Sequence, residues 1–132
     1  MSKATLKWAA TGEAGDFNAA FKFLSLVCPD AKAKALVSAL RKAKHVDHAA
    51  KDLLRAAELP LLPSDDSHVA SDLKRIQKGK ALAPVLLVRG HLGKGLPLVV
   101  ADGYHRICAV CHFDENAPVR CRIVDSQSAR SA

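Results

Sequence analysis

The sequence predicts an α+β fold: a small mixed β-sheet with packed helices, ordered β-α-β-β-α-β over residues 59–125, after an all-helical N-terminal extension over residues 1–58. Three observations carry this. Residues 1–58 are rich in alanine and lysine, and their apolar residues fall at helical spacing. From Leu59 the texture changes to short apolar runs punctuated by proline and glycine. Two of those runs flank a glycine-bearing loop of hairpin length, which places an antiparallel pair in the sheet. A chain of 132 residues makes one domain. At 49% hydrophobic and 5% aromatic its core is aliphatic, and at this length it needs no disulfide.

The elements follow in order. Asp16 can cap a first helix that carries Phe17, Ala20, Phe21, Leu24 and Val27 at helical spacing. Pro29-Asp30 ends it and opens a second, striped by Ala33, Leu36, Val37 and Leu40. A third helix is predicted over 45–57, with Val46, Ala49, Ala50, Leu53, Leu54 and Ala57 on one broad face. Leu59-Pro60-Leu61-Leu62-Pro63 reads as a short or edge strand between prolines. Ser64-Asp65-Asp66-Ser67 offers several N-caps for a helix with Val69, Leu73 and Ile76, which Gly79 ends. Pro84–Val88 is a buried strand, His91–Gly95 the hairpin loop, and Leu96–Ala101 its partner. Asp102-Gly103 turns into a helix from Tyr104 to Phe113, and Val119–Val124 alternates as a half-exposed strand. The Ser/Ala-rich stretch 126–132 reads as a frayed tail.

The net charge of +7 is compatible with phosphate or nucleic-acid partners, though lysines on solvated helix faces explain it equally. The N-terminal stretch lacks a continuous apolar run, and no segment approaches a membrane span. The expectation is a cytoplasmic chain, off the membrane, whose four cysteines are free thiols.

Cys108-Ala109-Val110-Cys111-His112 matches the spacing of c-type haem attachment. Haem is not expected, because attachment takes place on exported chains and the one methionine, Met1, leaves no strong axial partner. A redox pair wants its first cysteine at a helix N-terminus, whereas Cys108 lies beyond the first turn. Zinc normally draws its ligands from two elements, and one helix holding Cys108 and Cys111 offers only one. No metal site is assigned, and both cysteines are expected to pack as small apolar residues.

The start of the same helix carries more chemistry. A strand runs into a tight Asp102-Gly103 turn and then a helix whose first N–H groups lack carbonyl partners. Such an end attracts phosphate, and His105 and Arg106 add donors in the same turn. Asp102 either caps the helix or, with a metal nucleotide bound, faces the metal. The plainer alternative is a scaffold turn with Arg106 on a surface carboxylate.

"VVADGYHRICA" looks like the Gly-x-His/Arg-Arg box of the ParB/sulfiredoxin superfamily, read GCHR in sulfiredoxins and GERR in ParB proteins. "DDSHVASDLKRI" and "APVLLV" fall in that family's order, so the stretch from about Leu59 to Asp125 resembles its core. The resemblance implies a nucleotide-phosphate site in which Gly103, His105 and Arg106 form the cradle. It matches His68, Ser71 and Arg75 to phosphate-contacting positions on the earlier helix, and their i, i+3, i+7 spacing puts them on one face. It also implies magnesium arriving with ATP or CTP, and NTP hydrolysis or phosphoryl transfer if there is catalysis, with Asp102 as the acid nearest the chemistry. Tyr104 stands where sulfiredoxins carry their nucleophilic cysteine and ParB proteins an acid, so sulfinic-acid reduction is not expected. The alternatives are a nucleic-acid-binding or nuclease module, and a non-catalytic protein-interaction domain. The sequence assigns neither a protein partner nor an oligomeric state.

Overall fold

The computed structural model describes residues 5–12 and 14–126. All of the predicted tail but Ser126 lies outside the described residues. In chain order the elements are β1 (Lys7–Trp8), α1 (Ala14–Val27), α2 (Asp30–Lys42), β2 (His45–Ala49), α3 (Ala50–Ala57), α4 (Ser67–Gln77), β3 (Ala81–Leu82), β4 (Val85–Arg89), β5 (Val99–Asp102), α5 (Tyr104–Phe113) and β6 (Pro118–Asp125). A single 3₁₀ turn, Leu92–Lys94, sits in the β4–β5 connection.

The main sheet has the order β2-β6-β4-β5. β4 and β6 run parallel at its centre, and each has an antiparallel neighbour outside it. This is the mixed α+β sheet that the sequence predicts. β1 and β3 form a separate parallel pair.

Side chains alternate along a strand, so β4 feeds two cores. Val85 and Leu87 join Leu53, Leu54, Val69, Ile76, Ile107 and Val110 from α3, α4 and α5 on one face. Leu86 and Val88 join Phe17, Ala20, Leu24, Leu36 and Leu40 from α1 and α2 on the other. β4 thus lies between two helical layers, as its unbroken apolar run requires. Each fully buried leucine or isoleucine contributes about 1.5–3 kcal/mol over an exposed one. Arg122 on β6, only 9% exposed, donates from one guanidinium nitrogen to the carbonyls of Arg41 and Ala43 at 3.2 and 2.8 Å. A cation there answers the negative end of α2.

Two expectations are corrected. Residues 1–58 are not all-helical: β1 lies among them, and 45–49 form the edge strand β2 rather than the start of the third helix. The helical spacing from Val46 was incidental, since Val46 is 43% exposed and the buried face begins at Ala50. Pairing with β6 over His45–Ala49 satisfies backbone groups there, and His45, Val46, Asp47 and His48 favour helix only weakly. Residues 59–63 are not a strand. Pro60 and Pro63 have no N–H to give a ladder, and side chains of α5 take the carbonyls instead. Tyr104 donates its hydroxyl to the Pro60 carbonyl at 2.5 Å, and the His112 ring meets the Leu62 carbonyl at 2.7 Å. The remaining predicted elements, α4, β4, β5, α5 and β6, are present in order, with the unpredicted two-residue β3 between α4 and β4.

Candidate functional site

β5 ends at Asp102, and the chain turns into α5 through Gly103, whose φ of +109° is left-handed. A side chain there is excluded on two counts. Left-handed φ disfavours any Cβ, and this Cβ would lie 2.5 Å from a Val85 methyl. α4 packs beside α5, and its N-terminus is capped by Asp66, whose carboxylate accepts from the N–H groups of His68 and Val69 at 3.0 and 3.1 Å. These backbone bonds hold the Asp66 carboxyl below its ordinary range.

Between the first turns of the two helices lies a recess of about 170 Å³, lined by His68, Ser71, Asp72, Asp102, Gly103, His105 and Arg106. The structure therefore gathers six of the seven residues that the sequence singled out, leaving Arg75. The His68 and His105 rings lie with centroids 4.7 Å apart, tilted by 40°, and the Tyr104 ring lies 5.8 Å from that of His105. Arg75 turns away and donates to the Ala81 carbonyl at 2.9 Å. It sits in the last turn of α4, where the chain doubles back through Gly79.

Arg106 does not present a free fork to a ligand. Only 12% of its side chain is exposed. One nitrogen donates to the Ala83 and Pro84 carbonyls at 2.6 and 3.3 Å, and the other to Asp102 at 2.6 Å. Asp16, in the first turn of α1, lies 3.8 Å from the first nitrogen. Arg106 locks the β3–β4 link to the β5–α5 turn, and the recess meets its edge. Asp102 in turn neither caps α5 nor stands open: no side chain caps that helix, and the Asp102 carboxyl is taken by Arg106.

Two acids bear on the site that spacing did not bring forward. Asp72 follows Ser71 on α4 and lies one turn from His68, so helical spacing alone could have found it. Burial pushes its carboxyl above the usual range, against the pull of Arg106. Asp16 reaches Arg106 across the sheet from a helix 90 residues earlier in number, and no local signal points to it. Burial raises the Asp102 carboxyl to about 6 despite the Arg106 guanidinium, and Asp16 adds to the rise.

The residues do not fit a magnesium site of their own. Asp102 is engaged by Arg106, and the described residues hold no group of three or more His, Cys, Asp or Glu that could take a metal ion. Cys108 is fully buried in the core, and burial pushes both its thiol and that of Cys111 up, away from thiolate chemistry. Among the described residues no helix is long and apolar enough to cross a membrane.

A larger groove of about 670 Å³ lies between α3 and the β4–β5 turn, with Leu53, Leu98 and Ile123 among its lining residues. Protein-family models, curated proteins and solved structures yield no match to this chain.

Proposed function

We propose that the chain binds a phosphorylated small molecule, a nucleotide above all, with its phosphates in the recess between α4 and α5. The observation that supports this reading is the convergence of His68, Ser71 and His105 on the first turn of a helix entered through Gly103. Helix N-termini carry partial positive charge and unpaired N–H groups, and the imidazoles and the serine hydroxyl add donors. Without the expected first strand, and with β3 between α4 and β4, the order of α4, β4, β5, α5 and β6 follows the rest of the ParB/sulfiredoxin-like core that the sequence resembles.

The recess sets the mode of binding. At about 170 Å³ it holds phosphate groups and leaves a base and sugar outside. His68, Ser71 and His105 would touch the phosphates, and Arg106 would hold the turn that presents them. Magnesium would arrive on the ligand's own phosphates. Hydrolysis or phosphoryl transfer would rest on positioning and charge, with Asp102 as the acid at the recess edge.

The test is a thermal-shift series with ATP, ADP, CTP, GTP and pyrophosphate, with and without magnesium, on the wild type and His105→Ala. A ligand at a hundred times its Kd adds about 2.7 kcal/mol of stability. A shift with one nucleotide that His105→Ala loses is the expected result. No shift with any of these ligands overturns the reading.

A second reading, a protein-interaction domain, is favoured by one feature. The end of α1 exposes Phe23, Leu26 and Val27, by 41%, 83% and 60%. Co-purification of a stoichiometric partner that Leu26→Asp abolishes would support it.

A further inference from the structure

The recess and the N-terminal helix meet at one guanidinium. Arg106, at 12% exposure, faces Asp102 at 2.6 Å and Asp16 at 3.8 Å, and those carboxylates are only 20% and 22% exposed. With both acids ionised, this half-enclosed cluster carries one uncompensated negative charge. Two carboxylates therefore press on one guanidinium, and like charges held against the same cation do not both ionise freely.

We propose that the Asp16–Asp102 pair holds one proton over Arg106, carried on Asp102, and that this proton sets the charge, and hence the anion affinity, of the neighbouring recess. With the proton in place the cluster is neutral, one carboxylate against one guanidinium, and the recess is governed by the α5 N-terminus and the two imidazoles. Without it, a negative charge stands at the recess edge and opposes a phosphate. Anion binding therefore takes up a proton, and affinity falls as the pair deprotonates. The burial that lifts Asp102 to about 6 puts this change just below neutrality. Every charged group facing Asp102 enters the balance: Arg106 and His105 from α5, Asp16 from α1, and Asp72 and His68 from α4. The helical lead is thereby part of the site, through Asp16.

The ligand half of this inference rests on the proposed function, while the proton on Asp102 does not. The first measurement is a ¹³C-carboxyl NMR titration of the full wild-type chain. The expected result is an Asp102 inflection near 6. An Asp102 inflection in the ordinary carboxylate range overturns the proton. In Asp16→Asn the partner charge is gone, and the Asp102 inflection should move down. An unchanged Asp102 titration overturns the coupling.

The second measurement is pyrophosphate affinity by calorimetry at pH 5 and pH 7.5. The rest of the recess is the same in both proteins, so the ratio of wild type to variant isolates the pair. At pH 7.5 Asp16→Asn should bind pyrophosphate about tenfold more tightly than the wild type, and at pH 5 about equally. A ratio that does not change with pH overturns the regulation. No binding by either protein overturns the proposed function and the regulation with it, while the NMR titration still decides the proton on Asp102.

Discussion

The groove between α3 and the β4–β5 turn encloses about 670 Å³ and the recess between α4 and α5 about 170 Å³, yet the smaller one holds the concentrated chemistry. At the groove, charged side chains stand on the rim and meet charges beside them. Arg55 lies 3.6 Å from Asp52, and Arg89 meets Asp125 at 2.5 Å. These are exposed pairs, worth little in water. At the recess the charges are drawn inward, around an arginine that also holds two backbone carbonyls. Volume measures how much of a ligand can be hidden. Fixed polar groups decide which ligand is chosen and how it is oriented. The comparison also separates two jobs within the recess: Arg106 and Gly103 build it, whereas His68, Ser71 and His105 line it and, in the proposed function, face the ligand.

The largest expected effect tests the builders. Arg106→Ala strips the Ala83 and Pro84 carbonyls of their donor and leaves Asp102 beside Asp16 without a cation. Breaking a buried ion pair from one side costs about 3–5 kcal/mol. Urea denaturation should give a midpoint lowered in proportion, before any ligand is added. A midpoint close to wild type would mean that Arg106 is free, and would return it to the ligand-facing group.

Gly103→Ala comes next. The new methyl would need φ of +109° and would press on Val85, for about 1–3 kcal/mol. Thermal melting checks it. A Tm within a degree of wild type would mean that the turn relaxes without strain.

What the sequence disclosed depends on how local the cause was. α5 is legible because an Asp-Gly turn, then an unbroken apolar face from Ile107 to Val110, fixes both its start and its buried side. β4 is legible because Val85 to Val88 are buried on both faces of the sheet. β2 was not, because its strand character comes from β6, more than 70 residues later, and its own residues only permit it. The stretch 59–63 misled for the same reason: Tyr104 and His112 take its carbonyls from far along the chain. The site divides likewise. His68, Ser71 and His105 follow from helix phase and a turn. That Arg106 is caged follows from carbonyls and an acid on other elements, and Asp16 could be found only in three dimensions.

A third prediction concerns pH. Asp102 has a folded pKa near 6, against 3.8 as its ordinary value. A carboxyl raised on folding contributes stability that is fully present below the unfolded pKa and is lost as pH rises through the folded one. Between pH 4 and pH 6.5, then, wild-type Tm should fall relative to Asp102→Asn, which has no such proton to lose. Parallel Tm curves for the two proteins would remove Asp102 from the linkage.

The ligand-facing group gives a smaller effect of a different kind. His105→Ala and Ser71→Ala should each weaken pyrophosphate about tenfold, equivalent to about 1.4 kcal/mol. Their stability should stay within about 0.5 kcal/mol of wild type for the exposed Ser71. Calorimetry and melting, done on the same samples, separate the two quantities. A variant that lost stability and affinity together would belong with the builders.

The smallest effect is expected at the groove. Leu92 and Leu96 stand at its lip, 98% and 57% exposed, so neither buys much burial from the fold as it stands. Leu92→Ser should leave Tm and pyrophosphate affinity unchanged within error, because the removed side chain was already in water and the recess lies on other elements. A lowered pyrophosphate affinity in this variant would break the comparison at its root. It would mean that the ligand spans both hollows, and that the large apolar one sets which phosphorylated molecule is accepted.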